Sequence, residues 1–216
     1  MGRYKETWRA APLKIAVLKD VKKKLARVKE EYPDAGAIVI LYLFFLRIVS
    51  IAFRLGFARI YLRSCTIGNL VTTRGKPLIS NKGLIRIGSR VAIWSIFDRT
   101  KFFVHRKAVL SIGSNSRING VHISVKNSVT IGKRVRIGPY SLIMDSDFHD
   151  AYDRSKEGKV SPVSIGDDVW IASRVIILKG VTIGAGSMIA AGSVITHDIP
   201  PKSLAAGVPA KVVRHL

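Results

Sequence analysis

The sequence predicts a mainly β protein, a parallel β-helix with an N-terminal helical extension. A period of six fits neither the alternation of a flat strand nor the turn of a lone helix, which repeats about every 3.6 residues. It suits a chain that turns a corner every six residues, so that three steps close one triangular coil of parallel β-structure. Isoleucine recurs at every sixth position in Ile165, Ile171, Ile177, Ile183, Ile189 and Ile195.

The repeat also sets the expected domain boundaries. A second phased run ends at Ile143, and weaker pairs six residues apart reach back to Ile79. The β-helix is expected to begin near Cys65. Proline cannot donate to a β-ladder, so the two prolines at 200–201 end the predicted climb. We therefore expect a helical extension over residues 1–64 and a β-helix over residues 65–216.

The charge of the chain indicates anionic partners. It carries 36 Lys and Arg against 14 Asp and Glu, a net charge of +22. Solubility requires a much smaller net charge. A chain of this charge would attract an anionic membrane surface, a phosphorylated small molecule or a nucleic acid. No nucleic-acid-binding motif is evident, so nucleic acid is not an expected partner. The single cysteine, Cys65, excludes a disulfide framework and a cysteine zinc cluster within one chain, and no metal is expected.

A loop interrupts the repeat where chemistry is expected. Ile143 and Ile165 are 22 positions apart, which is not a multiple of six, so the chain must leave the coil between them. Loops on rigid scaffolds often carry function, and this one contains His149, a natural general base for a hydroxyl. Asp145 and Asp147 precede it and could orient the imidazole or raise its basicity. The alternative is that both are solvated loop acids and that backbone carbonyls orient the ring.

The C-terminal half resembles a known family. The run PVSIGDDVWIASRVIILKGVTIGAGSMIAAGSVITHDIPPKSLAAGVPAKVVR is similar to the hexapeptide-repeat O-acetyltransferases. That group includes galactoside, maltose and nodulation-factor enzymes and many bacterial O-antigen and exopolysaccharide O-acetyltransferases. The match is strong over residues 129–214, weaker over 65–130, and absent from the galactoside and maltose enzymes over 1–64. It implies a left-handed β-helix, a homotrimer and active sites in the grooves between subunits.

The resemblance also implies roles for individual residues. His149 would be the catalytic base, and Asn119 would lie near the acceptor. The backbone N–H of Ser173 would stabilise the oxyanion. Acetyl-CoA would be the acyl donor, and His197 stands where many members carry lysine. The implied contacts to acetyl-CoA are Ser173, Ala191, Thr196, His197, Lys211 and Arg214.

The favoured function is an O-acyltransferase that moves acetyl from acetyl-CoA to a sugar hydroxyl in bacterial surface polysaccharide synthesis. The alternatives are a non-catalytic, membrane-associated β-helix scaffold and an acyltransferase with a non-sugar acceptor. A γ-class carbonic anhydrase would need three zinc-binding histidines on adjoining coils. His122 and His149 are 27 positions apart, which is not a whole number of coils. The sequence does not name the sugar, the hydroxyl or the length of the acyl chain.

The extension predicts association with a membrane. Residues 10–31 are predicted to form a lysine-rich helix that Pro33 ends. From Ala35 to Phe53 the only charged residue is Arg47, which would lie deep inside a bilayer if this short stretch spanned it. We favour a helix in the cytoplasmic leaflet, held by flanking basic residues. A helix packed on the β-helix or at the trimer centre, and a true span, are the alternatives. The protein is then expected to be cytoplasmic and peripheral at the inner face of the bacterial cytoplasmic membrane, close to lipid-linked sugars.

Overall fold

A computed structural model describes residues 22, 25–150 and 152–216. The chain forms two compact units, Met1–Phe53 and Arg54–Leu216. Of the predicted lysine-rich helix, Lys22 and residues 25–31 are helical, and the remainder lies outside the described residues.

Within the first unit, the only charged side chain of the apolar stretch has a carboxylate partner. Arg47 donates a hydrogen bond to Glu31 and forms an ion pair with it. The side chains of Arg47 and Glu31 are 35% and 53% exposed, so the protein does not bury the ion pair.

The apolar stretch forms one long helix, Ala37–Tyr61. Its 25 residues give a length of about 37 Å. By length and composition alone, the helix could cross a membrane. Its last turns lie in the second unit, where Ala58 and Leu62 join the hydrophobic core. Large apolar side chains are exposed along it at Ile38, Leu41, Tyr42, Phe45, Leu46, Phe53, Phe57 and Ile60.

Among the described residues, eighteen of the twenty strands form six successive coils of three. The coils contain β1 (Thr66–Ile67), β2 (Thr72–Arg74) and β3 (Leu78–Asn81); β4 (Leu84–Ile87), β5 (Ala92–Trp94) and β6 (Lys101–Val104); β7 (Val109–Ile112), β8 (Arg117–Asn119) and β9 (His122–Val125); β10 (Ser128–Ile131), β11 (Arg136–Ile137) and β12 (Leu142–Met144); β13 (Val163–Ile165), β14 (Trp170–Ile171) and β15 (Ile176–Ile177); β16 (Thr182–Ile183), β17 (Met188–Ile189) and β18 (Val194–Ile195). The remaining two are β19 (Ser203–Gly207) and β20 (Ala210–His215).

The coils stack into three sheets. The first strand of every coil lies in sheet A, the second in sheet B and the third in sheet C, and the neighbours pair in parallel. Strand β19 extends sheet B beside β17, and β20 runs antiparallel to β19. The predicted parallel β-helix is confirmed. We call the turn from sheet B to sheet C the BC corner, and the turn from sheet C to sheet A of the next coil the CA corner.

The phased isoleucines form the core, as predicted. Each of the six is at most 2% exposed, because the side chain points inward and stacks on its counterpart in the next coil. The corners are tight enough to require small residues: a Cβ on Gly166 would lie 2.6 Å from the backbone nitrogen of Ala185. The stacked pairs are Ile165 with Ile183, Ile171 with Ile189, and Ile177 with Ile195.

The outward rows of sheets A and C differ in character. Sheet A presents a polar row, whereas the row of sheet C becomes wholly apolar towards the C-terminus. The row of sheet A is Arg86, Ser111, Thr130, Ser164 and Thr182. The row of sheet C is Leu78, Lys101, His122, Leu142, Ile176 and Val194.

The predicted interruption of the repeat is confirmed at the CA corner of the fourth coil. Residues 145–162 leave the coil between β12 and β13. The loop folds back on itself through antiparallel bridges from Ser146 to Val160 and from His149 to Glu157.

Candidate active site

Asp145 anchors the base of the loop to the coil before it. The residue is fully buried, and its carboxylate accepts backbone N–H groups from Lys126 at 2.7 Å, Asn127 at 2.7 Å and Ser128 at 2.8 Å. Hydrogen bonds to a charged acceptor are among the stronger ones in proteins. Both oxygens of Asp145 are therefore engaged with the scaffold, and neither is directed to His149.

His149 lies beyond this anchor with its side chain exposed. Its backbone N–H donates to the carbonyl of Asp147 at 2.7 Å, which tightens the chain around Phe148, a residue with φ +61°. The Asp147 carboxylate instead pairs with Lys179 at 2.7 Å. Within the described part of the chain, the imidazole has no hydrogen-bond or ion-pair partner. The structure thus brings neither acid to the ring, and an orienting role for Asp147 stays a prediction.

The tip of the loop is held by its own acids. The Asp150 carboxylate accepts the backbone N–H groups of Tyr152 and Asp153, and these bonds lower the pKa of Asp150. Hydrogen bonds from Ser155 lower the pKa of Asp153 in the same way. The hydrogen bonds favour the ionised form in each case.

Three of the predicted residues lie at the BC corner. Asn119 ends β8, and its buried Oδ1 has no hydrogen-bond partner among the described residues. Ser173 and Ala191 occupy the same corner in the fifth and sixth coils, where the Ser173 carbonyl accepts the N–H of Gly192 at 3.0 Å. The N–H groups of Ser173 and Ala191 donate to no acceptor in the portion of the chain that the structure describes. Two neighbouring donors are therefore available at this corner.

The remaining predicted contacts divide between the CA corner and the last hairpin. Thr196 and His197 follow β18 at the CA corner, where the Thr196 hydroxyl and His197 Nδ1 lie 2.8 Å apart. Lys211 and Arg214 lie on β20 opposite β19. Both side chains are exposed, and neither forms an ion pair with a described residue.

One chain does not bring the whole predicted set together. His149, Thr196 and His197 lie at the CA corner, whereas Asn119, Ser173 and Ala191 lie at the BC corner. These corners bound opposite edges of sheet C. A site that uses both groups therefore requires two chains.

The sequence prediction missed Lys179, which pairs with Asp147. A signal for it was present in the repeat, because Asp145, Lys179 and His197 each follow a stacked isoleucine of sheet C by two positions. Equivalent positions in successive coils lie one above another, so the register alone places this lysine beside the loop.

The fold and the site define a class of protein: a parallel β-helix with a six-residue repeat, interrupted by an anchored loop that exposes a histidine. Residues 162–197 match the family described as "Bacterial transferase hexapeptide (six repeats)". The resemblance to hexapeptide-repeat acyltransferases is confirmed, and the fold is a left-handed β-helix.

Two relatives illustrate the extent of the similarity. Galactoside O-acetyltransferase of Escherichia coli (strain K12) is 44% identical over 91 residues, which are 41% of this chain and 45% of that protein. The chain thus matches about half the length of this curated relative. A hexapeptide-repeat containing acetyltransferase from Vibrio cholerae O1 biovar eltor, solved with acetyl coenzyme A, is 25% identical. The alignment covers 98% of this chain and 93% of that chain with a TM-score of 0.51. A further structure of the Vibrio cholerae protein gives 26% identity, 93% coverage of both chains and a TM-score of 0.54.

Proposed function

We propose that this protein is an O-acetyltransferase that uses acetyl-CoA and acetylates a sugar hydroxyl, with His149 as the general base. The observation that carries the proposal is the anchored loop, which exposes a histidine with no partner among the described residues, shortly before the segment that matches the hexapeptide transferase family. The similarity to a galactoside O-acetyltransferase and to an acetyltransferase solved with acetyl coenzyme A supports both substrates.

The proposed reaction is a single acyl transfer. His149 takes the proton of the acceptor hydroxyl as its oxygen forms a bond to the thioester carbon. The negative charge that develops on the carbonyl oxygen is stabilised by the free N–H of Ser173. The carbon–sulfur bond then breaks, and the proton on His149 passes to the sulfur of CoA.

The proposed active site is shared between neighbouring chains of a homotrimer. A cyclic trimer in which the C sheets face the axis would place the CA corner of one chain beside the BC corner of the next. The half-buried apolar row of Leu142, Ile176 and Val194 supports this face as the contact, since the equivalent row of sheet A is polar.

The donor site would use the residues implied by the resemblance. Small side chains at Ser173 and Ala191 leave room for the pantetheine arm at the BC corner. Thr196 and His197 would contact it from the CA corner of the neighbour. Lys211 and Arg214 are exposed and pair with no described carboxylate, and they would bind the CoA phosphates.

We also infer that the helix Ala37–Tyr61 associates with the inner face of the bacterial cytoplasmic membrane, where the acceptor would be a lipid-linked sugar of a surface polysaccharide. Its row of exposed apolar side chains supports burial in lipid. A spanning position would draw Arg47 and Glu31 into hydrocarbon, whereas the headgroup region leaves both hydrated. An orientation within the leaflet is therefore favoured.

The function is tested by incubating the purified protein with acetyl-CoA and a panel of sugars and measuring free CoA thiol. We expect slow acetyl-CoA hydrolysis without acceptor, faster thiol release with a suitable sugar, and an acetylated sugar by mass spectrometry. Thiol release with a non-sugar alcohol alone would favour the non-sugar acceptor. The absence of both acetyl-CoA binding and hydrolysis would favour the non-catalytic scaffold.

Membrane association is tested by substitution within the exposed apolar row. Leu41→Gln with Phe45→Gln should reduce binding to vesicles of phosphatidylglycerol and phosphatidylcholine by at least about 100-fold, because each buried apolar side chain contributes roughly 1.5–3 kcal/mol. Liposome flotation measures the bound fraction. The matched control is Ile96→Gln with Phe97→Gln, two side chains of similar exposure on the β-helix. Equal flotation of all three proteins, or flotation of none, would contradict the proposal.

A further inference from the structure

Sheet B carries an outward column of arginine and tryptophan side chains. We call Arg74, Trp94, Arg117, Arg136 and Trp170 the arginine–tryptophan column. The members come from the first five coils and occupy two neighbouring outward positions. Arg74 is the strand partner of Trp94, whereas Arg117, Arg136 and Trp170 are partners in the other row, in which Arg117 lies opposite Ala92. With strands about 4.8 Å apart, the column is about 19 Å long.

The Trp94 ring contacts two arginines of the column. The guanidinium of Arg74 lies 5.4 Å from the centre of its ring, and that of Arg117 lies 4.3 Å from it. Both distances are within the range of cation–π contacts. The two arginines are therefore held over the sheet, and their N–H groups remain able to meet a ligand.

The positive charge of the column has no paired carboxylate among the described residues. Among the described residues, no carboxylate forms an ion pair with Arg74, Arg117 or Arg136. Arg117 and Arg136 are direct partners on adjacent strands, and burial together with the Arg136 charge lowers the pKa of the Arg117 guanidinium. Like charges on neighbouring strands oppose each other, so a bound anion would stabilise this arrangement.

This arrangement is not a general consequence of the high net charge. Arg134, in the turn before Arg136, donates a hydrogen bond from Nε and another from Nη2 to the two carboxylate oxygens of Asp168, each at 2.6 Å. The equivalent outward row of sheet A has one arginine, Arg86, followed by serine and threonine. The outward positions of sheet B thus hold three arginines and two tryptophans, whereas the row of sheet A holds one arginine.

The column also leads to the predicted reaction centre. Trp94 is the direct strand partner of Asn119, whose buried amide oxygen has no partner. Asn119 lies at the BC corner, the same corner that carries Ser173. A ligand that contacts the column at Trp94 would therefore lie beside Asn119, which is expected near the acceptor.

We propose that the arginine–tryptophan column binds an acidic oligosaccharide, so that the acceptor is a sugar chain bearing carboxylate or phosphate groups. Guanidinium groups match the geometry of both anions, and the exposed ring of Trp170 supplies an apolar platform for a sugar ring. A neutral sugar would leave the arginines unpaired. The proposal rests on the proposed function in one respect, the identification of the bound chain as the acceptor.

The test measures binding without acetyl-CoA, so it does not depend on transfer. The probes are pentagalacturonate for carboxylates, phosphorylated mannopentaose for phosphates and maltopentaose as a neutral chain, each titrated calorimetrically into full-length protein at constant ionic strength. We expect one or both acidic probes to bind and maltopentaose to bind at least about tenfold more weakly. Arg117→Gln with Arg136→Gln should weaken binding of the acidic probe by about 100-fold, since two charge-assisted contacts are lost.

Two further variants separate local contacts from overall charge and folding. Arg86→Gln with Arg90→Gln removes the same charge from elsewhere on the β-helix and should change the affinity by less than about threefold, the scale of a screened long-range effect. Arg117→Lys with Arg136→Lys keeps the charge but loses the planar fork, and should give an intermediate affinity. Thermal melting establishes that each variant is folded.

Several results would overturn the proposal. These are equal losses in the sheet A and sheet B variants, unchanged affinity of the sheet B variant, or equal binding of maltopentaose. Tighter binding through these arginines to a single-stranded DNA pentamer or to phosphatidylglycerol vesicles would also overturn it. Acetyl-CoA hydrolysis by the wild-type protein is measured in parallel. Its absence would contradict the proposed function alone, whereas failed binding with intact hydrolysis would contradict the column alone.

Discussion

Replacement of His149 by asparagine should reduce acetyl transfer by about two to four orders of magnitude, the usual contribution of a general base. The side chain is exposed and has no described partner, so the variant should melt at the wild-type temperature. Thiol release with acceptor, measured at saturating acetyl-CoA, gives the rate. His105→Asn is the matched control, because His105 is an exposed histidine in a turn of the second coil. Near-normal turnover of the His149 variant would contradict its assignment as the base.

The same variant tests whether the site is shared between chains. His149→Asn and Asn119→Ala damage opposite edges of sheet C, so each homotrimer should be impaired at every site. In mixed trimers formed by co-expression, about one interface in four would combine an intact His149 with an intact Asn119. Activity should therefore return in the mixture. The control is wild-type protein that is co-expressed from two plasmids and purified in the same way. If the control is active and the mixed trimers are not, either both residues act within one chain or Asn119 has no role.

Lys211→Ala with Arg214→Ala should weaken CoA binding by about 100-fold. Each lost contact to a phosphate is taken as roughly 1.5 kcal/mol, the lower end for charge-assisted hydrogen bonds, because both side chains are exposed. The dissociation constant for CoA is measured by calorimetry, and maximal turnover at saturating acetyl-CoA should be nearly unchanged. Lys82→Ala with Arg86→Ala removes the same charges from the early coils and should bind CoA normally. An unchanged constant in the tail variant would exclude β20 from the donor site.

The repeat could be predicted from the sequence because its period is imposed by geometry. Inward isoleucines must stack on one another in successive coils. The interruption is therefore predicted from the spacing of Ile143 and Ile165, which is not a multiple of six. Prediction fails where a contact crosses between coils whose repeats are irregular. Asp145 was one of two acids that could have oriented the imidazole, but its carboxylate is bound by N–H groups of residues 126–128, and this segment lies outside the phased runs.

The sequence could name the individual residues of the candidate site, but not the edge of sheet C on which each of them lies. Sequence similarity names His149 and Ser173 separately, whereas their positions on opposite edges of one sheet emerge only from the order of the strands. The arginine–tryptophan column has a related explanation. Arg117 and Arg136 are 19 positions apart rather than 18, so a strict count of six does not align them, although the strands pair them directly.

The way in which the loop leaves and rejoins the coil has an evolutionary consequence. The N–H of Ser161 donates to the carbonyl of Asp145 at 2.9 Å, and the Ser161 carbonyl accepts the N–H of Gly180 at 3.0 Å. The two ends of the excursion are thus joined to each other and to the coils on either side. Doubling the length of a flexible loop closed in this way costs only about 0.6 kcal/mol of entropy. The segment between His149 and Val160 is therefore free to change in length and sequence while the scaffold keeps its register, and the proposed acceptor specificity can diversify at little cost to folding.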